Sequence, residues 1–146
     1  MRVLPIFIAT LLVAITSIPR GYANTDFIHG LVPGYIAIQE ALAADNLPGA
    51  KMKAIELQQK SVGQSAELKK ISTSLTAFIE AKSISTARKE FKKLSTSFVD
   101  WADKNKESEL EVVYCPMAGA KWLQKKGAIS NPYFGKEMLH CGEKTS

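Results

Sequence analysis

ISTARKEFKKLSTSFVDW, residues 84–101, is the stretch whose pattern decides the fold. Ile84, Ala87, Phe91, Leu94, Phe98 and Trp101 recur at alternating spacings of three and four. That repeat keeps one apolar face along an α-helix for about five turns. The lysines and Glu90 fall mostly off this face, and Ser83 offers a side-chain oxygen to cap the first turn. The aromatic residues are read as core packing rather than as a cofactor box.

Upstream, the same period returns three times. Leu68, Ile71, Leu75 and Phe78 form a stripe with Ser65 as its N-cap, and Gly63 breaks the pattern before it. Leu47, Ala50, Ala54 and Leu57 give a thinner stripe, with Pro48 suited to the first turn. Leu31, Tyr35, Ile38 and Leu42 predict a helix from about Pro33 to Ala44, ended by Asp45 and Asn46. The expectation is an all-α fold: an antiparallel bundle of about four helices.

Downstream the character changes. Residues 104–111 are polar and read as a linker, and Leu110 to Cys115 is a short β-like run. Gly119, Gly127, Gly135 and Gly142, with Pro116 and Pro132, then mark a loop-rich cap over residues 110–142. Asn131 is placed to cap a short helix starting at Pro132 and ended by Gly142. Trp122, Tyr133 and Phe134 are too much apolar surface to leave solvated, so the cap is expected to pack on the helices.

At the other end, Arg2 precedes an apolar run from Val3 to Ile18, and Gly21 and Ala23 are small residues at positions −3 and −1. These are the parts of a secretory signal peptide over residues 1–23, with cleavage predicted between Ala23 and Asn24. The run is short for a membrane anchor, which needs about 20 apolar residues. The mature domain, residues 24–146, is thus expected to be periplasmic or secreted and without a membrane span. Removing Arg2 and Arg20 leaves 17 basic against 14 acidic residues, a net of +3. No dense basic stripe interleaved with aromatics suggests nucleic acid.

The sequence holds no nucleophile elbow, phosphate-binding glycine loop or zinc-protease helix, and the reading is of a protein that is not an enzyme. His29 and His140 are far apart in the chain. The one chemical constellation is in the cap. Cys115 is followed by Met117, and Met138 precedes His140 and Cys141. A helix would put Met138 and Cys141 on one face. Thiolate and thioether select soft ions such as Cu(I) or Ag(I), and His140 is a further candidate ligand. The four Cys or His ligands of a structural zinc site are not at hand. Equally, two cysteines in an exported protein form a disulfide by default, and methionine often fills a gap in a core.

YCPMAGAKWL (114–123) and ISNPYFGKEMLHCG (129–142), together with YIAIQEALAAD (35–45) and ARKEFKKLS (87–95), resemble the family called domain of unknown function 3347 (DUF3347). The similarity extends along nearly all of the mature chain. Its motif positions here are Cys115, Met117, Asn131, Pro132, Tyr133, Gly135, Met138 and Cys141. Domains of this kind stand alone after a signal peptide or are attached to adaptor subunits of heavy-metal efflux systems. The resemblance therefore implies a role in copper or silver handling, with partners among periplasmic components of such a system. No adaptor regions are expected in this chain, which is therefore not expected to bridge a pump itself. Two readings follow: a soft-metal binding or chaperone domain, or a non-catalytic interaction domain stapled by a Cys115–Cys141 disulfide.

Overall fold

The computed structural model describes residues 22–63 and 65–145. The expected signal peptide lies outside them, apart from its last two residues. Among the described residues the chain forms α1 (Tyr22–Ala43), α2 (Leu47–Lys60), α3 (Ala66–Glu80), α4 (Ile84–Asn105), β1 (Leu110–Cys115), β2 (Ala120–Lys125) and β3 (Glu143–Lys144). A 3-10 turn, Gly135–Met138, precedes β3. None of these helices is long and apolar enough to cross a membrane.

The helix ends follow local chemistry. The side chains of Asn46, Ser65 and Ser83 accept from the amides of Gly49, Leu68 and Thr86, so three helices start on side-chain caps. Asp45 turns the chain out of α1 with φ +60°, a conformation that Asp tolerates better than most residues. The first helix starts well before the expected Pro33, which lies inside it. Proline in a helix interior costs roughly 3 kcal/mol. Here Ile28, Leu31 and Val32 on its N-terminal side are buried, and that packing holds the turn together.

Consecutive helices pack on one another, and α1 also packs on α4. Their apolar stripes meet in one core, in which Phe91, Leu94 and Phe98 are wholly buried. Tyr35 stacks on Phe98 and Phe91 at centroid distances of 4.4 and 5.3 Å.

The all-α expectation holds for residues 22–105 and fails beyond them. The cap contains a three-stranded antiparallel sheet in the order β2-β1-β3, where only the first strand was expected. Leu110 pairs with Lys125 and Cys115 with Ala120 across the turn at residues 116–119. Val113 pairs with Lys144 on the other side. The second strand was hidden because its burial does not alternate: Trp122, Leu123 and Gln124 are all buried. As expected, the cap packs on the helices. β2 lies against α4, and Tyr133 sits 6.0 Å from Phe91 and 5.7 Å from Trp122.

Candidate functional site

The sheet brings the two cysteines together. Cys115 ends β1 with its side chain wholly buried. Cys141 stands just before β3 and is half-buried. Their sulfurs are free thiols 3.8 Å apart. The amide of Ala118 also donates to Cys115 Sγ at 3.4 Å. Gly142 makes this approach possible. Its φ is +151°, and a Cβ there would lie 2.8 Å from Val113 and 2.9 Å from Trp122. The hydrogen bond to Cys115 pushes the Cys141 thiol above its ordinary range, and burial and the nearby charge of Glu143 act the same way. Two thiols in contact can lose protons together to one soft ion, or lose two electrons and join.

The backbone around Cys141 is fixed by Asn131. This buried side chain accepts from the amides of Tyr133 (2.8 Å) and Phe134 (3.3 Å) and donates to the carbonyl of Cys141 (2.8 Å). Its own amide donates to the Leu139 carbonyl at 2.7 Å. One residue thus ties both ends of the 131–141 loop. The expected helix from Pro132 to Gly142 does not form; only the 3-10 turn is helical. Gly135 adopts φ +60°, which ends any regular helix there, and a Cβ would collide with Asp45 and Arg88. Met138 and Cys141 therefore do not share a helical face. They are linked instead by the Cys141 amide bonding the Met138 carbonyl.

The remaining candidates spread around the pair. Met117 lies two residues past Cys115 in the β1–β2 turn and is 69% exposed. Met138 is half-buried. His140 is exposed, and its Nδ1 lies 2.8 Å from the Ile129 carbonyl. A carbonyl only accepts, so Nδ1 carries the proton and Nε2 is the basic nitrogen of the neutral ring. His29 lies instead against Trp101, with ring centroids 5.9 Å apart and the planes tilted by 47°. Among the described residues no three His, Cys, Asp or Glu side chains converge on one metal position.

The Asn-Pro-Tyr-x-Gly run is a latch. Arg88 donates from Nε to the Pro132 carbonyl (2.9 Å) and from a terminal nitrogen to the Leu42 carbonyl (3.0 Å) and Asp45 (2.6 Å). Asp45 also accepts from the Lys136 amide at 3.1 Å. The Arg88 hydrogen bond, with that of Lys136, holds the Asp45 carboxyl below the usual carboxylate range. Tyr133 Oη and Ser95 Oγ both donate to the Lys121 carbonyl, and Ser95 also meets Tyr35 Oη at 2.6 Å. Burial pushes both tyrosines far up, so they stay neutral donors. Arg88, Asp45, Tyr35 and Ser95 were not singled out as site residues. Their signal was present, since all four fall in the two upstream stretches that carried the family resemblance. A groove of about 490 Å³ opens beside the latch, lined in part by Arg88, Lys89, Lys92, Phe134 and Glu137.

A family model described as a protein of unknown function (DUF3347) matches residues 31–109. It covers more than half of the chain and stops one residue before β1, so the cysteine and latch motifs lie beyond the matched span. No curated protein and no solved structure matches the chain.

Proposed function

From a chain that belongs to the DUF3347 family, we propose an exported domain whose cap takes up a soft ion, Cu(I) or Ag(I), between Cys115 and Cys141. The observation that carries this reading is the 3.8 Å separation of two free thiols, one at the surface and one beneath it. Thiolate pairs favour soft ions over zinc, which takes four ligands in a structural site. Met117 and Met138 are near in sequence and would complete the ligand set as thioethers. His140 Nε2 is a further donor. The helices are the scaffold, read here as an antiparallel bundle, and the latch holds the thiols in register. No catalytic role is assigned. The domain would work in the periplasm after cleavage at Ala23, handing its ion to components of a heavy-metal efflux system.

Reduced protein titrated with Cu(I) against a competing chelator tests the reading. Affinity should fall greatly in Cys115→Ser and Cys141→Ser and less in Met117→Leu and Met138→Leu, because thiolate carries charge and thioether does not. Binding no tighter than that of the double Cys→Ser variant would refute it.

A second reading has its own support. Cys115 is wholly buried, and the groove at the latch is open to a partner. On this reading the thiols form a structural disulfide and the cap is a docking surface. Closing that loop would contribute on the order of 3–4 kcal/mol by chain entropy. Thiol counting on protein taken directly from its compartment separates the two: two thiols favour the metal site, none favours the staple.

A further inference from the structure

We infer that the Cys115–Cys141 pair undergoes thiol–disulfide exchange with an external disulfide, with Cys141 forming the intermolecular bond and Cys115 resolving it. The inference rests on the dithiol reading of the cap and adds its regulation: the same two sulfurs cannot hold an ion once they are joined.

The asymmetry of the pair carries the assignment. Cys115 is wholly buried and Cys141 is partly exposed. An external disulfide therefore reaches only one of the two sulfurs. The sheet register shows why the exposed one is free to react. The β1–β3 pairs are Val113 with Lys144 and Tyr114 with Glu143. Continuing that register puts Gly142 across from Cys115 and Cys141 one step past it, where the ladder has ended. The Cys141 backbone is nonetheless anchored on both sides, its amide on Met138 and its carbonyl on Asn131. Its side chain can thus turn outward to a partner or inward to Cys115 without moving the loop. From 3.8 Å, closure to the roughly 2.05 Å of a disulfide is a side-chain motion.

The chemistry balances. The Cys141 thiolate attacks one sulfur of R–S–S–R′, forming a mixed disulfide and expelling R′–S⁻, which takes up the proton lost from Cys141. The Cys115 thiolate then attacks the Cys141 sulfur, forming the intramolecular bond and expelling R–S⁻, which takes up the second proton. The pair loses two electrons and the external disulfide gains them. In the reverse direction an external thiolate attacks the Cys141 sulfur and frees Cys115. A second external thiolate then attacks the mixed disulfide, frees Cys141 and leaves as the external disulfide, which restores the ion-binding form.

The test uses the full mature chain, reduced and metal-free, mixed with glutathione disulfide, quenched in acid and weighed by mass spectrometry. Wild type should lose two hydrogens and retain no glutathione. Cys115→Ser and Cys115→Ala should both stop with one glutathione on Cys141. Cys141→Ser should be modified on Cys115 at least about tenfold more slowly, because that thiol is buried. Equal rates on the two single-cysteine forms would overturn the inference. So would folded wild type that stays reduced while the unfolded chain reacts. Exchange as described without Cu(I) binding would sink the metal reading alone, and Cu(I) binding without exchange would sink this one alone.

Discussion

Within the helices, burial is periodic and apolar: Leu68, Ile71, Leu75 and Phe78 in α3, and Ala87, Phe91, Leu94 and Phe98 in α4. In the cap, Glu111, Gln124 and Asn131 are buried as well, each held by several hydrogen bonds. Gln124 alone joins Trp122, Ser130, Ala128 and Glu111. The buried polar side chains of α1 and α4, Gln39 and Ser95, both reach across to the cap. A helix satisfies its own backbone, whereas an irregular segment needs side chains to do so. One region is therefore stabilised by many interchangeable contacts and the other by a few that cannot be exchanged.

Phe91 couples the two regions most directly, since it touches Tyr35 and Phe78 among the helices and Tyr133 in the cap. Phe91→Ala should cost about 3–5 kcal/mol and destabilise both regions in one transition. Denaturant unfolding followed by helical circular dichroism and by tryptophan fluorescence checks it; a variant as stable as wild type would refute the core assignment.

Asn131→Ala should cost about 2–3 kcal/mol, because it strands buried partners at both ends of one loop. Its effect should be confined to the cap. Amide exchange should quicken at residues 133–141 while α2 and α3 keep their protection. Slowed or unchanged exchange there would mean that the loop is held by something else.

Ser83→Ala removes a cap that stands apart from the latch and should cost only about 1 kcal/mol. Exchange in the cap should not change; if it does, the two regions are more tightly coupled than their contacts indicate.

The smallest effect is acid sensitivity of the latch. In the folded state the Asp45 carboxyl is held down first by Arg88 and then by the Lys136 amide. Burial pushes Glu111 up, but hydrogen bonds from Lys144 and Gln124 outweigh it and its net shift is also downward. Both groups contribute stability above the ordinary carboxylate pKa of about 4, and that contribution is lost as pH falls through the lowered folded values. Tryptophan fluorescence should therefore report loosening of the cap on acidification before the helical signal falls. Arg88→Gln should make that early change smaller.

The same contrast explains what was readable in advance. Four helices and two of their caps follow from spacing and from Ser65 and Ser83, because periodicity and capping are local; Asn46, read as the end of α1, also caps α2. The early start of α1 was not readable, since Pro33 is a stop signal unless distant packing overrides it. In the cap, β1 shows itself by its β-branched pair, Val112 and Val113. β2 does not, because Trp122, Leu123 and Gln124 are covered on both faces. The two cysteines and their neighbouring methionines stood out as chemistry, but the pairing of the thiols depends on sheet register. No helix joins Met138 to Cys141, because Asn131 closes the 131–141 loop on itself and Gly135 packs against Asp45 and Arg88, which lie far along the chain.

The central claim is that the two cap thiols share one soft ion. X-ray absorption at the metal edge of reduced protein loaded with one equivalent of Cu(I) tests it most directly. The account predicts a first shell of sulfur, from Cys115 and Cys141 with at most a thioether added, that is lost in the Cys115→Ser, Cys141→Ser double variant. A first shell of nitrogen or oxygen, or one unchanged in the double variant, would contradict it.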